Sequence, residues 1–335
     1  MMKRIAVLLL CLLLLASGML SACTTEPDTT PEQTPDAEQP DTTEPEEEVE
    51  PEPEPVRTDF RVMLSSDIHC THLLEWYGVN YQDRMQLWVD AILAEHEERP
   101  IDLLILNGDL SLDHWQHNGG GSWLNEERST SEEFINDFVS QLPDEIAIFI
   151  MPGNHEQFSN EDWEYIAGND RYGYYVLGEH LFVFLDNFAG ELDPDYHHDG
   201  VYTGVDMDFL NEVMEAHPDK NVWLVAHYFD MSKESAEFKE LLSTNTQIKA
   251  LFHGHIHLTD IQELGEEYNN LTIAVTGNFA YTKDADIVGS FWGFRDLIIS
   301  ENSAYSYYII AESEAVVNGK NVVIDRAEID EVIYY

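Results

Sequence analysis

An α/β fold is predicted for most of this 335-residue chain on three observations. Short apolar runs of strand length alternate with stretches whose apolar residues recur at helical spacing. The runs are apolar throughout, as in strands buried on both faces. A strand-rich remainder then follows, which predicts a second sheet packed on the first.

The pattern begins near Asp59. "FRVMLSSDIH" is a short apolar strand ending in polar residues. "YQDRMQLWVDAILAEHEER" is a helix with Met85, Trp88, Val89, Ile92 and Leu93 on one face and Pro100 after its end. "IDLLILNGD" is a buried strand, "SEEFINDFVSQL" a helix opened by Ser131, and "EIAIFIMPGNH" another strand. "HLFVFLDN" is a strand, and "VDMDFLNEVMEAHP" a helix with Met207, Phe209, Leu210 and Met214 as core residues. "NVWLVAHY", "SAEFKELLS" and "QIKALFHGHIH" read as strand, helix and strand. "NNLTIAVTGN" and "LIISENSAYSYYIIAESEAVVNGKNVVIDRAEI" are strand-rich, with a hairpin turn at Asn318-Gly319. The aromatic stretches "GSFWGF" and "YSYY" read as sheet packing. The connection "DHWQHNGGGSWLNEERST" is long for its place, which favours a functional loop, with His114, Trp115 and His117 as candidate substrate contacts.

The formal net charge of -49 argues against nucleic acid as a partner, because such binding needs a basic surface to displace counterions. Phosphate chemistry on so acidic a chain needs a local positive source. The first residues read as a targeting segment: "MMKR" is a positive start, "IAVLLLCLLLLASGML" an apolar run, and "LSAC" a small-residue site before a cysteine. Leu20-Ser21-Ala22-Cys23 resembles the lipobox of bacterial lipoproteins, which implies cleavage before Cys23, lipidation of its sulfur and an extracytoplasmic, membrane-anchored protein. An ordinary signal peptide cut nearby is the alternative. Residues 24–58 are Thr, Pro and acids with almost no apolar side chains, so they cannot offset their ordering entropy and form an extended tether. The expected division is a signal peptide over 1–22, a lipidated cysteine and linker over 23–58, and a folded domain over 59–335. With Cys23 lipidated, Cys70 is the remaining thiol of the mature chain, so no internal disulfide forms.

The chemistry lies where the strands run out. Asp67 and His69 follow the first strand, Asp109 follows "LILNG", and Asn154 and His155 follow "FIMPG". His227 follows "WLVA", and His255 and His257 follow "LFHG". In open parallel sheets, ligand sites lie beyond the carboxyl ends of the strands, so these residues are expected to converge. Imidazoles and carboxylates together suit borderline ions such as Zn, Mn or Fe more than Mg or Ca.

The series "DIH…NGD…GNHE…AHY…GHIH" resembles the calcineurin-like metallophosphoesterase family over residues 60 to about 280. The resemblance implies an αββα sandwich, two facing mixed sheets flanked by helices and holding two divalent metals. Position by position, it implies that Asp67, His69 and His257 hold one ion and Asn154, His227 and His255 the other, with Asp109 between them. It further implies hydrolysis of a phosphomonoester or phosphodiester by a hydroxide held between the ions. His155 would face the substrate, as an imidazolium that stabilises charge or protonates the leaving oxygen. Asp113 and Glu156 are both candidates to orient it. Purple acid phosphatases are similar but place a tyrosine where this chain has Leu112, and they lack a counterpart of His69, so their redox iron is not expected. Cyclic nucleotide phosphodiesterases and protein phosphatases of the same superfamily remain open, and a non-catalytic ligand-binding lipoprotein is the alternative from another class. His253, Cys70, His197 and His198 read as structural or surface residues.

Overall fold

In the computed structural model, the described residues are 57–112, 129–188, 200–281, 291–317 and 319–335. Residues Pro55–Tyr335 form one compact unit. Residues 1–56, which hold Cys23, the expected targeting segment and all but the last two residues of the expected tether, lie outside the described residues, as do the loop with Asp113, His114, Trp115 and His117 and the pair His197–His198.

Two six-stranded sheets make the body. The first contains β1 (Phe60–Ser65), β2 (Leu103–Asn107), β3 (Ala147–Met151), β10 (Gly293–Ser300), β11 (Ser303–Ile310) and β14 (Ala327–Ile333), in the order β14-β11-β10-β1-β2-β3. The second contains β4 (Gly173–Leu177), β5 (His180–Leu185), β6 (Asn221–Ala226), β7 (Ile248–His253), β8 (Ile261–Glu263) and β9 (Thr272–Val275), in the order β4-β5-β6-β7-β9-β8. Both are mixed: β1–β2–β3 and β5–β6–β7–β9 run parallel, and the outer strands join antiparallel. A separate hairpin pairs β12 (Ser313–Val317) with β13 (Lys320–Ile324), where Gly319 takes φ 74°.

Alternation along each strand explains the apolar runs. Val62 and Leu64 of β1, with Leu103 and Ile105 of β2, face Phe182, Phe184, Trp223 and Phe252 between the sheets. Met63, Leu104 and Leu106 face outward under helices α1 (Tyr81–Glu98), α2 (Thr130–Asp137) and α3 (Asn160–Ala167). On the far side, Leu181, Val183, Leu224 and Leu251 lie under α4 (Met207–Ala216) and α5 (Ala236–Thr244). Each inner strand is therefore covered on both faces, and no polar alternation survives. The stacking of Phe149 on Phe184, with ring centroids 4.0 Å apart, ties one sheet to the other.

The fold is the αββα sandwich, but the strands are apportioned differently from the sequence expectation. The late strands β10, β11 and β14 extend the first sheet, and the second sheet is built from the middle of the chain. Covering both faces of β1 takes a second layer, and periodicity does not say which strands supply it. The helix expected to open at Ser131 opens one turn position earlier. Ser129 is its cap, its hydroxyl accepting from the Glu132 amide, and Ser131 is buried inside the first turn. Helix α3 and edge strand β4 were not read from the sequence, because "NEDWEYIA" and "GYYVL" are short and half-exposed. Leu93 is only partly buried, while Arg84 and Glu95 share the buried face of α1.

Candidate dinuclear metal centre

Strands β1, β2, β3, β6 and β7 end at one edge of the sandwich, and the candidate residues follow within four positions of each strand's last residue. Asp67, His69, Asp109 and His257 form one group, and Asp109, His227 and His255 a second; within each, one donor atom per residue lies within 4.8 Å of the others. Asp109 belongs to both. Asn154 closes the second group, its Oδ1 lying 3.1 Å from His227 Nε2 and 2.9 Å from His255 Nδ1. In the first group His69 Nε2 and His257 Nε2 approach to 3.0 Å, and Asp67 Oδ1 lies 3.2 Å from His257 Nε2. Asp109 Oδ2 lies 3.1 Å from His227 Nε2 and 3.7 Å from His69 Nε2.

The backbone is bent hard to achieve this. Asp67, His69, Asp109, His255 and His257 all sit in the left-handed region, with φ of 52°, 47°, 53°, 68° and 59°. Non-glycine residues adopt it at about 1–2 kcal/mol each, and such strain collects at functional sites. Glycines admit the crowding. A Cβ on Gly153 would lie 2.2 Å from Asp109 Oδ1, and one on Gly254 would lie 2.5 Å from Asp67 Oδ2.

The donors fit a pair of cations. His257 Nδ1 lies 2.8 Å from the Tyr281 carbonyl oxygen and His227 Nδ1 lies 2.8 Å from that of Asn107. A carbonyl only accepts, so in the neutral rings each Nδ1 carries the hydrogen and each Nε2 turns a lone pair inward. Asp67 Oδ1 is buried without a hydrogen-bond partner, while its Oδ2 accepts from Ser66 Oγ at 2.7 Å and the His255 amide at 2.8 Å. Converging lone pairs and an unsatisfied carboxylate oxygen call for positive charge. Burial opposes the imidazolium of His227, but Asp109 and Asp67 outweigh it and hold its pKa up at about 10. Burial likewise favours neutral Asp67 and Asp109, yet the surrounding imidazoles hold both well below the usual carboxylate range. Divalent ions would supply that charge instead.

His155 lines the same cavity of about 390 Å³, beside Tyr228, Ile256 and Tyr281. Its Nε2 is 3.7 Å from Asp109 Oδ2, and burial lowers its pKa to about 3 against the pull of Asp109. Burial therefore works against an imidazolium at His155, and the charge of Asp109 works for it. Glu156 does not orient it. The Glu156 carboxylate accepts from the amides of Asp109 at 2.8 Å, Ser111 at 3.0 Å and Gly153 at 2.7 Å, clamping the β2 and β3 loops together. Burial, then the charge of Asp109, pushes its pKa up to about 8. Cys70 is buried with Sγ 3.3 Å from Met85 Sδ, in the core under α1. His253 is buried at the end of β7, its ring 5.2 Å from that of Tyr228, and belongs to neither group.

Sequence reasoning missed Arg84, Tyr228 and Tyr281. Tyr228, next to His227 in "AHY", was within reach of the motif; Arg84 and Tyr281 had no local signal.

A family model described as calcineurin-like phosphoesterase matches residues 60–259. A curated relative, the 3',5'-cyclic adenosine monophosphate phosphodiesterase CpdA of Haemophilus influenzae, is 26% identical over 219 residues, covering 60% of this chain and 69% of the relative. Among solved structures, a dimetal phosphatase from Danio rerio superposes with a TM-score of 0.56 at 14% identity, over 80% of this chain and 99% of that one. At that identity the likeness speaks for the fold.

Proposed function

The chain belongs to the calcineurin-like phosphoesterase family and is a phosphoester hydrolase, and we propose that its centre cleaves phosphate monoesters or diesters with two divalent ions held by the residues above. Asp67, His69 and His257 would hold one ion, Asn154, His227 and His255 the other, and Asp109 both. One observation carries the reading: a single carboxylate, Asp109, is shared by two groups of donors. When bound, the ions supply charge for the phosphoryl oxygens and acidify a water. The chain does the rest. Glu156 and the His155 amide hold Asp109 in place, and the carbonyls of Tyr281 and Asn107 aim His257 and His227. His155, facing the cavity, serves as a hydrogen-bond donor to a phosphoryl or leaving-group oxygen.

A cyclic nucleotide is the second reading, favoured by the match to CpdA. The lipobox-like Leu20–Cys23 and the acidic tether support an extracytoplasmic enzyme anchored through Cys23. The test is turnover of phosphomonoesters, linear phosphodiesters and cyclic nucleotides after chelation and reloading with Mn, Zn, Fe or Ni. Cleavage that returns with metal and is lost in His155→Ala, with both ions retained, is expected. A ligand-binding protein would show no turnover with any metal.

A further inference from the structure

We propose that Tyr228 and Tyr281 set specificity at this centre, as two ring walls that receive a flat ester substituent, so that the substrates are phosphate esters of aryl or nucleoside alcohols. The inference deepens the phosphoesterase reading and rests on it.

The two rings stand beside different donor groups. Tyr281 lies against the first, its centroid 4.7 Å from His257 with the planes at 69°, and 6.0 Å from His69. Tyr228 lies against the second, 4.5 Å from His255 with the planes at 38°. Ile256, between the two histidines in sequence, adds an apolar surface to the same cavity. A phosphorus atom held by both groups therefore has a ring beside each.

Each wall is braced. Trp76 packs on Tyr281 at 4.8 Å, with planes 32° apart, and Trp76 is fixed by reciprocal backbone bonds with Val79 at 3.1 and 3.0 Å. Tyr202 meets Tyr228 edge-on at 6.2 Å. Tyr281 as a residue remains 37% exposed and lines the cavity. A rigid tyrosine offers contact area at little entropic cost, and flat rings stack on it whatever their hydrogen-bonding edges. Among the described residues lining the cavity none is Lys or Arg. The two rings and Ile256 give the lining a surface for an organic ring beside the phosphate.

Two stable probes separate ring recognition from phosphate recognition: phenylphosphonate and methylphosphonate, titrated calorimetrically into the Mn-loaded full chain. The wild type is expected to prefer the phenyl compound by about 5- to 150-fold, the range of stacking on an aromatic side chain. Tyr281→Leu and Tyr228→Leu should lose most of that preference, read as the ratio of phenylphosphonate to methylphosphonate affinity within each metal-loaded variant; Tyr281→Phe and Tyr228→Phe should keep it. An unchanged phenyl preference in both leucine variants overturns the wall assignment and leaves the phosphoesterase reading intact. A wild type that holds two ions, binds neither phosphonate and cleaves no ester overturns the parent reading instead.

Discussion

Arg84 donates from α1 to the carbonyl oxygen of His69, with Nη2 at 3.2 Å. Its Nη1 serves the carbonyls of Ile68, at 2.6 Å, and Phe279. A buried guanidinium thus gathers the backbone of the loop that carries Asp67 and His69. Its partners are carbonyl oxygens, and burial lowers its pKa only to about 10, so it stays charged at neutral pH. Arg84→Met is expected to weaken metal binding about 10- to 100-fold, the usual loss when the support of a ligand is removed. Competition with a chelating dye measures it. Wild-type affinity in the variant would reduce Arg84 to a packing residue.

Gly153 offers a sharper test of geometry. Its added Cβ would meet Asp109 Oδ1 at 2.2 Å and the Asp109 amide nitrogen at 2.3 Å, so Gly153→Ala must displace the shared carboxylate. Turnover should fall by about two orders of magnitude, as expected for a displacement near 1 Å. Gly168→Ala is the control: nothing lies within 4 Å of its Cβ, but φ is 75°. It should cost about 1–2 kcal/mol of stability and leave turnover per folded molecule unchanged.

Metal removal should destabilise as well as inactivate. Ions that bind only the folded chain add about 4 kcal/mol per site at a thousandfold excess over Kd. Chelation should therefore lower the melting temperature measurably, and Mn or Zn should restore it. A melting curve indifferent to chelator would contradict the two-ion centre.

Away from the centre, His180 makes stability depend on pH. Its Nδ1 accepts from Trp223 Nε1 at 3.2 Å, and burial lowers its pKa to about 4. The unfolded chain binds a proton there near pH 6.5 and the folded chain does not until about pH 4. Stability from the neutral ring is complete above pH 6.5 and is lost as pH falls to 4, up to about 3 kcal/mol. His180→Gln, which keeps an acceptor for Trp223, should flatten that part of the urea-denaturation profile relative to wild type.

The proposed attachment through Cys23 has its own readout. Cys23→Ala should abolish incorporation of a labelled fatty acid by cells producing the full chain. Label retained in the variant would exclude this anchor.

The seven candidate ligands were legible because each follows an apolar strand within four residues of its end. Parallel strands carry such offsets to one edge without further information. Less was legible where a residue works through the backbone. Glu156 reads in sequence as a neighbour of His155, yet it binds three amides of two loops. Ser131 reads as a cap because it precedes two glutamates, yet Ser129 has the extended backbone that capping requires.

By itself the sequence determined the strand ends and the donor types placed on them, since both depend on local pattern and side-chain chemistry. Tertiary structure alone decided which strands share a sheet and that Arg84, Tyr228 and Tyr281 surround the two donor groups. Those relations join residues far apart in the chain, and packing, which periodicity does not encode, brings them together.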